Sequence, residues 1–97
     1  MIVDLTVAAD PRLVEADNFT GFHSIAGRSA ISATLASGFA IEGEHLWVPI
    51  EWLEALSQDY DARWRANLHA MLRYADGQGW VDHHRAAVRA HVEWSDA

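Results

Sequence analysis

The chain contains no cysteine. That absence removes disulfides, thiolate nucleophiles, iron–sulfur clusters and cysteinyl zinc sites together. Lysine is missing as well, so all seven basic residues are arginine. Without a lysine amine the chain forms no Schiff base, holds no covalent pyridoxal cofactor and lacks the phosphate-gripping residue of a P-loop. Long apolar runs are lacking too: Asp, Glu, Arg or Gly interrupts them every few residues, and none approaches the roughly 20 apolar residues of a membrane helix. The opening Met1-Ile2-Val3-Asp4 has neither a basic region nor a long apolar one, so no signal peptide is expected there and a cytoplasmic location is. No membrane partner is expected.

What is present bounds the answer further. Ninety-seven residues, 51% of them hydrophobic, suit one core, because two separate cores would each be too small to offset chain entropy. A single domain spanning 1–97 is therefore expected. The formal charge of −7 repels phosphate backbones, and the arginines are scattered among carboxylates, so nucleic acid is not an expected partner. Elsewhere such acidity keeps a protein soluble, or lets it plug a basic site.

Local patterns predict an α+β domain: a small mixed or antiparallel sheet of about four to five short strands, with two to three helices packed on it. Ile2 to Val7 alternates as a strand, and Asp10-Pro11 signals a turn or a short helical entry. Thr20 to Ala26 reads as a second strand, and Ser29 to Ser37 as a helix closed by a left-handed Gly38. Phe39-Ala40-Ile41-Glu42, Gly43-Glu44 and His45-Leu46-Trp47-Val48 make a hairpin with Gly first in a two-residue type II′ turn. That register pairs Ile41 with Leu46 and Phe39 with Val48 on the core face, and Glu42 with His45 and Ala40 with Trp47 on the other.

Pro49 suits the first position of a short helix carrying Ile50, Leu53 and Leu56, which ends near Ser57-Gln58. A longer helix follows from Asp59 or Asp61 to Asp76. Its apolar stripe is Tyr60, Trp64, Leu68, Met71, Leu72 and Ala75, with Asp59–Arg63 and Asp61–Arg65 as favourable i,i+4 pairs. The tail has two readings. Val88, Ala90, Val92 and Trp94 alternate with Arg89, His91 and Glu93 as in a strand from about Ala87, whereas Asp82 before His83-His84 could cap a helix. The alternation favours the strand.

Six histidines invite a metal, but their spacing does not. His83 and His84 are adjacent and point apart; His91 lies seven residues beyond His84, about 10 Å along a helix, where ligands want i,i+3 or i,i+4. No metal and no cofactor are expected. His69 falls opposite the apolar stripe and should face water. The Glu42–His45 pair is chemically richer, since a carboxylate opposite an imidazole orients the ring and leaves the second nitrogen to move a proton, with Trp47 as a wall. His23, and Glu44 as a second carboxylate, would complete such a site if their strands were neighbours. Against this, residues flanking a hairpin turn are usually exposed and form only weak ion pairs. Ser24 and Ser29 lie in no nucleophile elbow; Gly27 and the helix start after it could hold an anion on free backbone N–H groups, but no Gly-rich fingerprint accompanies them.

Five tryptophans are more than a core this small readily encloses. Trp64 belongs to the helix stripe, which leaves Trp47, Trp52, Trp80 and Trp94 to line a ligand pocket or a protein interface. Three functions follow. The first is a non-catalytic domain that forms a homodimer or docks on a larger subunit through its tryptophans. The second is a cofactor-free isomerase, cyclase or dehydratase acting on a small apolar ligand through His45, Glu42 and His23 or Tyr74. The third is an acidic inhibitor of a basic partner.

Overall fold

The alternation from Ala87 to Trp94 does form a strand, and the sheet is organised around it. The computed structural model describes residues 1–6, 11–27 and 38–95. These form seven strands, β1 (Ile2–Leu5), β2 (Arg12–Val14), β3 (His23–Ala26), β4 (Ala40–Glu42), β5 (His45–Pro49), β6 (Val81–Asp82) and β7 (Ala87–Trp94). Two helices, α1 (Ile50–Leu56) and α2 (Ala62–Gly77), are separated by a 3₁₀ turn at Ser57–Asp59. The strand order is β2-β1-β3-β7-β5-β4, with β6 also on β7. The sheet is mixed, because β3 runs parallel to both β1 and β7 while the other pairs are antiparallel.

Seven strands exceed the expected four to five, for a local reason. β2 and β6 are three and two residues long, too short to leave an alternating pattern. Pro11 leads into β2 rather than into a helix, and Asp10 lies outside the described residues. The first two expected strands are trimmed to Ile2–Leu5 and His23–Ala26, and the helix expected over 29–37 lies outside the described residues.

One face of the sheet makes the core. Val3, Leu5, Leu46, Val48, Val88, Ala90 and Val92 are buried there together with Leu53 of α1 and Trp64, Leu68 and Ala75 of α2. Ser24 is also buried, and its hydroxyl donates to the His91 carbonyl at 2.9 Å, which satisfies the polar atom. The stripe of α2 is thus largely as its periodicity predicts, with Met71 and Leu72 half-buried at its margin. Tyr60 precedes the helix and stacks on Trp64 at 4.1 Å.

The hairpin keeps the expected register: Ala40 opposite Trp47, Ile41 opposite Leu46 and Glu42 opposite His45. Gly43 has φ +63° and Glu44 does not share that left-handed geometry, as a type II′ turn requires. Pro49, still extended at ψ 128°, closes β5 and stands just before α1 instead of inside it. The first free N–H of α1, on Ile50, donates to the Ala86 carbonyl at 3.0 Å. Asp61 caps α2 by accepting from Trp64 N–H at 2.9 Å. Arg65 forms no ion pair with Asp61 among the described residues; its Nη1 donates instead to the Tyr60 and Ser57 carbonyls at 2.6 and 3.2 Å.

The segment between β2 and β3 is tied down at several points. Trp64 Nε1 donates to the Ala16 carbonyl at 2.9 Å, and Phe19 packs on the same indole at 5.6 Å. The amine of Met1 donates to the Asn18 carbonyl, and His23 N–H donates to the Met1 carbonyl at 3.2 Å. These contacts hold Phe19 to Phe22 beside α2.

Candidate functional site

β3 and β6 share one edge of β7 without meeting. Since β5 occupies the opposite edge along Ala87 to His91, β6 must sit on the β3 side, where it pairs only with Ala87 and Val88, and β3 begins only at His91. Arg89 and Ala90 therefore have no ladder partner on that edge, apart from Arg89 N–H donating to the Trp80 carbonyl at 2.8 Å. A cleft of about 770 Å³ opens at this notch. That volume is within the range of small-molecule sites.

The walls come from segments far apart in sequence. Phe19, Gly21 and Phe22 lead into β3 on one side; Met71, Tyr74 and Ala75 of α2, with Trp80, form the other. Tyr74 and Trp80 are 64% and 36% exposed and meet edge to face at 5.9 Å, so they make an aromatic rim. The strand alternation puts Val88 on the core face and Arg89, His91 and His45 on the other, so the lining draws on both faces of the sheet.

Three histidines lie in one row across this region. The β3–β7 register places His23 beside His91, and the β5–β7 register places His91 beside His45. The rings of His45 and His91 meet edge to face at 6.0 Å. His23 Nδ1 lies 2.8 Å from the Gly21 carbonyl, and a carbonyl can only accept, so this nitrogen carries the hydrogen. In the neutral ring that leaves a lone pair on Nε2, which stands 3.7 Å from a Glu93 carboxylate oxygen. A carbonyl thus fixes the tautomer and a carboxylate is placed to steady the protonated ring, the arrangement a general base needs.

Other expected site residues stand elsewhere. Glu42 and His45 are opposite in register, but Glu42 accepts from Arg85 Nη2 at 3.2 Å, and no Glu42–His45 hydrogen bond is formed among the described residues. The guanidinium wins because it is permanently charged and already anchored: it also pairs with Asp82 and lies 5.3 Å from the centre of the Trp47 ring. Asp82 accepts from the Arg85 and His84 N–H groups, and the Arg85 bond chiefly holds its carboxyl below the ordinary range. Glu44 is exposed at the turn. Trp47 lies under Arg85 outside the cleft, with its Nε1 buried and without an acceptor among the described residues. Trp52 packs edge-on against Phe39 at 5.3 Å, and Trp94 packs against the core. Of the four tryptophans assigned to a surface role, Trp80 alone lines the cleft.

The remaining histidines are surface groups. His69 pairs with Glu54 at 2.9 Å and His83 with Asp76 at 2.7 Å, all four being exposed or half-exposed. Among the described residues no cluster of three His, Cys, Asp or Glu has the geometry to hold a metal. Sequence reasoning missed His91, Arg89 and Phe22. The only signal for the first two was the Val88–Trp94 alternation, which sets Arg89, His91 and Glu93 on one face without saying which strands lie beside them. No protein family, curated protein or solved structure matches the chain, and among the described residues no helix is long and apolar enough to cross a membrane.

Proposed function

We propose that the chain takes up a small, largely apolar molecule in the notch beside β7 and moves a proton on it, as a cofactor-free isomerase, cyclase or dehydratase does. His23 is the base: Nε2 receives the proton, Glu93 steadies the resulting imidazolium, and His45 and His91 complete the polar wall. The observation that carries this reading is the Gly21 carbonyl on His23 Nδ1 at 2.8 Å, which leaves Nε2 as the proton acceptor in a residue that lines the cleft. Glu42, engaged by Arg85, is a structural partner in this scheme rather than the carboxylate of the site. Deuterium exchange tests it, with acetophenone and 4-oxo-4-phenylbutanoate as aryl ketone probes in D₂O. Exchange next to the ketone faster than with equimolar imidazole, and lost in His23→Gln, is the expected result. Exchange that is no faster, or that survives the substitution, sinks the catalytic reading.

Self-association is the second reading, and the exposed Tyr74–Trp80 pair supports it. It predicts a concentration-dependent dimer in sedimentation that Trp80→Ala weakens. A monomer at high micromolar concentration removes it.

A further inference from the structure

The charge lining the notch is opposite to that of the chain. Fourteen of the 97 residues are Asp or Glu, yet none of the described residues lining the cleft is either, the exposed Glu93 standing beside His23 but outside the lining. The polar wall holds Arg89 and three histidines instead. Arg89 is half-buried, and its side chain makes no ion pair or hydrogen bond among the described residues. Its neighbour Arg85 shows the contrast, being held by Glu42 and Asp82 at once. A half-buried guanidinium left without a carboxylate, in a protein with a surplus of carboxylates, is a vacant anion partner.

We propose that the natural ligand is an organic carboxylate: its acid group pairs with Arg89 beside the imidazole row, and its aromatic or otherwise apolar body lies between Phe19, Phe22, Met71 and the Tyr74–Trp80 rim. A single guanidinium presents two parallel N–H groups that match the planar carboxylate; it grips a phosphate in the same way, but the second negative charge of a phosphate monoester finds no further permanent cation among the described lining residues. The excess of negative charge elsewhere on the chain repels anions at long range, so the discrimination is short-range and local to the cleft. This inference rests on the notch being the ligand site and adds the class of ligand.

Affinities of 2-naphthoate, 2-naphthamide and 2-naphthyl phosphate for the full chain, followed by the amide signals of Phe22, His91 and Trp80, test it. Naphthoate is expected to bind at least about tenfold more tightly than the amide. Arg89→Gln should abolish the preference while keeping the amide affinity, which reports an intact cleft, and Arg89→Lys should keep part of it. Equal binding of acid and amide overturns the anion inference but leaves the notch as the site. Tighter binding of the phosphate overturns the carboxylate assignment. If no probe moves those signals, the site itself is wrong, and this proposal falls with it.

Discussion

The stretch from Phe39 to Gly77 and the notch beside β7 are built on opposite plans. In the first, each element leads straight into the next: the hairpin passes through Pro49 into α1, a 3₁₀ turn follows, and Asp61 starts α2. Leu46, Val48, Leu53, Trp64 and Leu68 are buried there, and the start of α2 and the Arg65 guanidinium find partners a few residues away in sequence. The notch gathers residues 19–23, 45, 71–80 and 88–91 around strand edges that do not meet. There the aromatic groups are left partly exposed and Arg89 is left unpaired. Regions that bind are drawn from the less fully satisfied parts of a fold, so damage to the first region should cost stability, and damage to the second should cost binding.

Leu68→Ala breaks the first region. The side chain is fully buried against the sheet, and its loss should lower unfolding free energy by about 2–5 kcal/mol in urea denaturation. Trp80→Ala tests the second: thermal stability should fall by less than about 1 kcal/mol because the ring is at the surface, while 2-naphthoate binding should weaken about tenfold through loss of the aromatic rim. If Trp80→Ala destabilises the protein as much as Leu68→Ala does, the two regions are not energetically distinct.

Smaller effects sharpen the contrast. Asp61→Ala removes the cap of α2 and should cost about 1 kcal/mol by denaturation, with no change in naphthoate affinity. Asp4 accepts from the Thr6 hydroxyl at 2.6 Å and the Thr6 N–H at 2.8 Å, with Arg12 at 3.3 Å. The hydroxyl bond chiefly lowers its carboxyl below the ordinary value of 3.8. A carboxyl depressed by folding adds stability above its unfolded value and loses it as pH falls through the folded one. Asp4→Asn should therefore cost about 0.5 kcal/mol at pH 7, discounted for solvent screening. Stability curves of the two proteins should converge as pH falls below 3.8.

The same division decides what could be read in advance. Gly43 at the start of a two-residue loop specified the hairpin and its register through turn geometry alone. The Trp64, Leu68 and Ala75 spacing specified which side of α2 is buried. Both are signals between residues a few positions apart. The His23–His91–His45 row depends on β7 entering between β3 and β5, a placement that no local period encodes. The Glu42–His45 idea failed as an interaction because Arg85, 43 residues away in the chain, takes the carboxylate. Two of the four tryptophans meant for a surface, both half-buried, also pack on neighbours: Trp52 on Phe39 and Trp94 on the edge of the core.

The most direct measurement is a long-range ¹H–¹⁵N correlation of the histidine rings, recorded at pH 8 with and without 2-naphthoate. A proton on Nδ1 of His23, with ligand shifts confined to His23, His45 and His91, is the outcome the notch requires. A His23 proton on Nε2, or shifts confined to His69, His83 and His84, would contradict it.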